Sequence, residues 1–158
     1  MNPALDLVVE RRIGAPRDVV WRAWTDPSRL ARWWIPEPMR CRVDRLDVRP
    51  GGGFVTRMSE DGTTYVPHMD ASFLVVDEGE RIVFTNAVDS GWRPASPEPV
   101  ALTAEITFAD HADGTDYRAV VRHGDPAARD LHEKLGFFEG WGTVIGQLAA
   151  LAEGEAAR

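Results

Sequence analysis

The chain has 158 residues, 44% of them hydrophobic and 27% charged, which fits one compact domain over residues 1–158 and excludes a disordered tail, a collagen-like repeat or a disulfide scaffold. Net charge is −7 and the pI is near 5.1, so no nucleic acid is expected as a partner, because phosphate binding needs clustered positive charge. Cys41 is the only cysteine, so no intramolecular disulfide can form, and a reducing, cytoplasmic setting is expected. No stretch approaches 18 apolar residues, and none reads as a leader, so no membrane insertion is expected.

In residues 4–13, Leu5, Leu7 and Val9 alternate with Asp6 and Glu10, the pattern of a half-buried strand ended by Gly14-Ala15-Pro16. The spacing then changes to Val19, Val20, Ala23 and Trp24, which predicts a helix from Pro16. Thr25-Asp26-Pro27 closes it and starts a second one, carrying Leu30, Trp33 and Trp34. Next, Met39, Cys41 and Val43 share one parity, and Leu46 and Val48 the other. That one-residue slip predicts a β-bulge. The Pro50-Gly51-Gly52-Gly53 turn leads into a strand over 54–58, and further strands are expected over 65–76, 81–86, 100–108 and 117–123. A proline-rich loop with Trp92 spans 89–99, and Asp113-Gly114 marks the last hairpin.

From Asp125 the apolar positions Leu131, Leu135, Phe138, Trp141, Ile145 and Leu148 recur three or four apart, one face of a helix. Glycines at 136, 140, 142 and 146 interrupt it, each costing roughly 0.8–1 kcal/mol relative to alanine in a helix interior. A break is expected near Gly136, with the main helix over about 137–152. The glycines either bring the helix backbone close to the sheet or leave space beside it. The expected order is a strand, two short helices, six antiparallel strands and a long C-terminal helix, an α+β arrangement. A helix laid across a curved sheet meets it along a line, which leaves room for a chamber.

Several segments carry a resemblance. Trp24-Thr25-Asp26-Pro27 with Leu30 and Arg32-Trp33-Trp34, the Pro50-Gly51-Gly52 turn with Phe54, residues 80–85, and Gly140-Trp141 leading to Leu148 and Leu151 stand in an order similar to the activator of heat-shock protein 90 ATPase homologue family. That family belongs to the START-like, or SRPBCC, superfamily with the helix-grip fold. The resemblance implies a β-α-α-β6-α domain around a largely apolar internal pocket, often dimeric. It implies no single chemistry, since relatives include ligand carriers, cyclases, aromatases and co-chaperones. The eukaryotic co-chaperone carries a further N-terminal domain for which these residues leave no room.

Candidate chemistry is sparse. His68 and Asp70 share a strand parity, but His111, His123 and His132 lack the local spacing of metal ligands, so no metal is expected. His123 follows Tyr117, Ala119 and Val121 on one parity, which places it at the pocket mouth as a base or ligand donor, or else as a strand-end histidine bonded to a loop. Arg57 and Glu105 are mid-strand charges, either chamber anchors or solvent-facing groups. Cys41 reads as buried and inert, and Gly51-Gly52-Gly53 as a turn without the lysine of a phosphate loop, so no cofactor is expected. Trp24, Trp33 and Trp141 read as wall or core, Trp21 and Trp34 as partly exposed, and Trp92 as a lid.

The expected function is the binding of a small hydrophobic molecule, with Trp33, Phe73, Trp92, Tyr117, His123, Phe138 and Trp141 as its contacts. The alternatives are a cofactor-independent cyclase or hydrolase using the same cavity, with His123, alone or with His68 or Asp70, moving protons, and a chaperone-interaction module.

Overall fold

The computed structural model describes residues 1–158. Strand β1 (Asp6–Ile13) is followed by helices α1 (Arg17–Thr25) and α2 (Pro27–Leu30). Strands β2 (Arg40–Leu46), β3 (Gly53–Ser59), β4 (Val66–Asp77), β5 (Arg81–Thr85), β6 (Thr103–His111) and β7 (Gly114–Arg122) come next, and helices α3 (Pro126–Lys134) and α4 (Phe137–Ala156) close the chain. The strands form one antiparallel sheet in the order β1-β7-β6-β5-β4-β3-β2. The last six run as a meander, and β1 returns to pair with β7, so α1 and α2 carry the chain from one sheet edge to the other. This is the α+β arrangement expected from the order of elements and the helix-grip fold that the resemblance implies.

Local chemistry explains the breaks. Asp26 ends α1 and caps α2, its carboxylate accepting from Ser28 N at 2.9 Å with Pro27 in the first turn. The Ser28 hydroxyl and backbone hold that carboxyl below its ordinary pKa. Asp125 caps α3, its carboxylate accepting from Ala128 N at 2.8 Å. Gly136 breaks α3 from α4 at a φ of 100°, a conformation that favours glycine. The slip predicted in β2 is present, with the β2–β3 register shifting between Val43 and Arg45. Helix α2 is shorter than expected. It ends at Leu30, and Trp33 and Trp34 sit in the turns after it.

One sheet face, covered by α1 and α4, holds the core. Trp24 meets Trp33, Trp34 and Phe54 edge-on with ring centroids 5.3–5.8 Å apart, and Phe54 stacks on Phe73 at 5.4 Å. Trp34, expected to be partly exposed, is buried because Trp24, Phe54 and Phe84 pack around its ring. The opposite face carries charge. Arg57 pairs with Asp44 at 2.8 Å, and Glu105 bridges Arg81 and Arg122 at 3.2 and 3.0 Å. Both mid-strand charges therefore belong to the outer face. No helix is long and apolar enough to cross a membrane.

Candidate functional site

A cavity of about 280 Å³ opens where the N-terminal half of α4 leaves the sheet. Trp141, Gly140 and Val144 form its helix side, Trp34 and Pro36 come from the segment after α2, and Val100 and Leu102 come from the approach to β6. His68, Met69 and Asn86 stand on the sheet side, and His132 of α3, Glu98 and Pro99 complete the wall. Gly140 helps explain the space. It lines the cavity, and a Cβ added there would meet nothing within 4 Å, so this glycine leaves room beside the sheet and does not serve close approach.

Side-chain amides fix the cavity walls. Gln147 of α4 donates to the carbonyls of Trp33 and Ile35 at 3.0 Å and accepts from Glu37 N at 2.9 Å, tying the Trp34 segment to the helix. Asn86 donates to Val100 O at 3.2 Å and accepts from Leu102 N at 2.8 Å, holding the opposite wall.

Three polar side chains on these walls have unused hydrogen-bonding capacity. The indole N–H of Trp34 is buried with no acceptor. His68 is the extra residue of a bulge in β4, since Thr56 pairs with Met69 and Arg57 with Pro67. The bulge turns its ring toward the cavity, where Nδ1 meets the Thr56 hydroxyl at 3.0 Å. The protein around the ring lowers its pKa, although an edge stays open to solvent at the mouth. Asp70 does not accompany it. Beyond the bulge Asp70 faces outward and accepts from Ser90 N at 2.8 Å, so the expected shared face of His68 and Asp70 is corrected by the extra residue between the paired positions.

His132 is the third. Its Nδ1 lies 2.8 Å from His123 Nε2, and His123 Nδ1 lies 2.8 Å from Leu5 O. The carbonyl only accepts, so His123 carries a proton on Nδ1. In the neutral pair His123 Nε2 then accepts, His132 Nδ1–H donates, and His132 Nε2 has a free lone pair. Burial, with a smaller contribution from His123, pushes the His132 pKa down to about 4.

Of the seven expected contacts, Trp141 alone stands on this wall. His123 is buried one ring behind it, bonded to the chain before β1 and separated from the cavity by His132. Trp33 is core, its N–H donated to Ala23 O at 2.9 Å. Phe73 is fully buried between Phe54 and Phe84. Tyr117 accepts from Trp24 Nε1 under the helices, and burial drives its pKa upward. Phe138 points outward at 46% exposure, because the turn at Gly136 rotates the start of α4 so that Phe137 takes the inward position. Trp92 lies over a different part of the surface, 72% exposed and donating to Gly51 O at 2.7 Å, so it braces the β2–β3 turn and is no lid on this cavity.

Trp34 and His132 are the wall residues that spacing did not single out, and His68, singled out beside Asp70, reaches the wall without it. No sequence rule joins a turn, a bulge and a short helix. Cys41 lies elsewhere, its pKa raised to about 11 by burial, as for an unreactive thiol.

The family described as Activator of Hsp90 ATPase homolog 1-like protein matches residues 14–153. A crystal structure of a protein from Nitrosomonas europaea is similar at 38% identity over 100% of both chains, with a TM-score of 0.87. A crystal structure of a protein from Chromobacterium violaceum is 29% identical over 94% of this chain and 96% of that one, with a TM-score of 0.72. An AHSA1-like protein from Aeromonas hydrophila shares the fold at 21% identity over 98% and 96% of the two chains, with a TM-score of 0.69. A search of curated proteins finds no match. On the family match across nearly its whole length, the chain belongs to the activator of Hsp90 ATPase homologue 1-like family of the START-like superfamily.

Proposed function

We propose that this protein binds a small, largely apolar molecule in the cavity between α4 and the sheet. The observation that carries the reading is the space itself, about 280 Å³ beside a glycine-opened helix in an otherwise close-packed aromatic core. A dry cavity of about 150 Å³ already accepts benzene, so this one has room for a substituted ring. Trp34 and Trp141, whose centroids are 6.4 Å apart, offer apolar faces to it.

The test uses the intrinsic fluorescence of the wall tryptophans while ethylbenzene is titrated into the protein. Binding is expected to shift the emission, and Gly140→Leu is expected to abolish the shift while raising the melting temperature, because leucine fills the space and favours the helix. No shift up to the solubility limit, or an unaltered shift in the variant, would overturn the reading.

A second reading, proton-transfer catalysis in the same cavity, is favoured by one observation, the hydrogen-bonded His132 and His123 rings with a free His132 Nε2. It predicts that His132→Phe abolishes turnover of a cavity-bound substrate and leaves ethylbenzene binding in place. Turnover that persists in that variant excludes it.

A further inference from the structure

Away from the cavity, the Pro50-Gly51-Gly52-Gly53 turn carries two side chains from other parts of the chain. The Trp92 ring lies over Gly51, where an added Cβ would stand 3.6 Å from it, and its indole N–H donates to Gly51 O at 2.7 Å. The Arg45 side chain lies over Gly53, where an added Cβ would come within 2.8 Å of it. Asp47 O closes Gly52 to any side chain. The three glycines are thus a floor on which an indole and a guanidinium rest two residues apart.

The loop that bears Trp92 is built to hold it in place. Asp89 accepts from Gly91 N and Arg93 N at 2.9 and 3.0 Å, Ser90 N donates to Asp70 at 2.8 Å, and Val88 bridges to Pro94. Trp92 nevertheless stays 72% exposed, and it is the one residue other than glycine at a positive φ, 65°. A bulky residue is strained in that conformation, and strain of this kind clusters where a protein contacts ligands. A fixed, exposed indole has given up its freedom before a partner arrives, as the aromatic anchors of protein interfaces do.

The surrounding charge says what kind of partner fits. Residues 40–58 carry five arginines and two aspartates, a net of +3 in a chain of net −7. Both aspartates are engaged, Asp44 with Arg42 and Arg57, and Asp47 with Arg49. Arg45 meets only the carbonyl of Ser90, at 3.3 Å, and Arg93 is exposed beside the indole. Salt screens the acidic remainder of the chain beyond about 8 Å, so the nearby guanidiniums dominate what this surface attracts.

We infer that the surface over the β2–β3 turn docks an acidic, extended segment of another protein, with an apolar side chain of the segment on the Trp92 ring and its carboxylates on Arg45 and Arg93. A single-stranded nucleic acid would also stack on an indole, but it brings a charge with every nucleotide to a chain of net −7. The surface shares no residue with the cavity wall, so it stands or falls separately from ligand binding there.

The test selects a phage-displayed library of random dodecapeptides on the immobilised protein and measures the enriched peptides by fluorescence anisotropy. They are expected to combine aspartate or glutamate with a leucine or an aromatic residue, and to bind more weakly as salt is added. Trp92→Ala is expected to weaken them about thirtyfold, and Arg45→Glu about tenfold. Circular dichroism checks that each variant is folded. Arg45 is exposed, so its replacement leaves the core untouched and decides the matter if Trp92→Ala does not fold. The inference is overturned if no acidic family is enriched, if the enriched peptides bind the folded variants as tightly as the wild type, or if labelled oligothymidylate binds through Trp92 in their place.

Discussion

Trp24 donates its indole N–H to the Tyr117 hydroxyl across 2.8 Å, joining α1 to β7 in the middle of the core. Tyr117 was a plausible cavity contact by strand parity, yet here it serves as the acceptor for the largest buried side chain of α1. Tyr117→Phe removes that acceptor and strands the N–H, which is expected to cost about 1–3 kcal/mol. Urea unfolding followed by circular dichroism checks it, and an unchanged midpoint would show that the bond contributes nothing net.

The His132 ring couples stability to pH. Its pKa is about 4 in the folded chain against an ordinary 6.5, so between these values the unfolded chain binds the extra proton. Stability is then full above pH 6.5, falls as the pH drops toward 4, and is lost by an amount approaching roughly 3 kcal/mol at most. The check is a series of unfolding free energies from pH 7 to 4 for the wild type and His132→Gln. The variant is expected to show the shallower slope, and parallel slopes would contradict the assignment. His68, whose pKa is also lowered by burial, contributes in the same direction and remains in both proteins.

Gln147 makes three hydrogen bonds to backbone groups of residues 33–37. Gln147→Ala is expected to destabilise the protein by about 1–3 kcal/mol. It should also raise amide exchange in residues 34–37 before the rest of the core, since the wall of the cavity loses its tie to α4. Exchange that rises uniformly would instead mean that the segment is held by the tryptophan cluster.

Parts of the fold are legible in the sequence wherever a local rule applies. The parity slip after Val43 became a bulge because strand side chains alternate strictly, and Gly136 broke the helix because its φ of 100° suits no other residue well. At His68 no such local signal exists. The bulge in β4 falls at Pro67-His68-Met69, and the sequence has no run of alternating apolar residues there to reveal a slip. A large side chain on a loop suggests a lid at Trp92, and its packing against the Gly51 turn depends instead on a contact 41 residues away in the chain.

From the residues alone came the acidic charge, the order of the strands and helices, and the family those segments resemble, since periodicity, turn chemistry and capping act within a few residues. Six tryptophans were visible, but not their roles. Those were decided by tertiary packing: Trp34 becomes a buried, unpaired donor only when α1, β3 and β5 close around it. His132 becomes an acceptor only when β7 brings His123 against it and the chain before β1 supplies Leu5 O. Hydrogen-bond state depends on neighbours brought together by the fold, and no spacing along the chain records them.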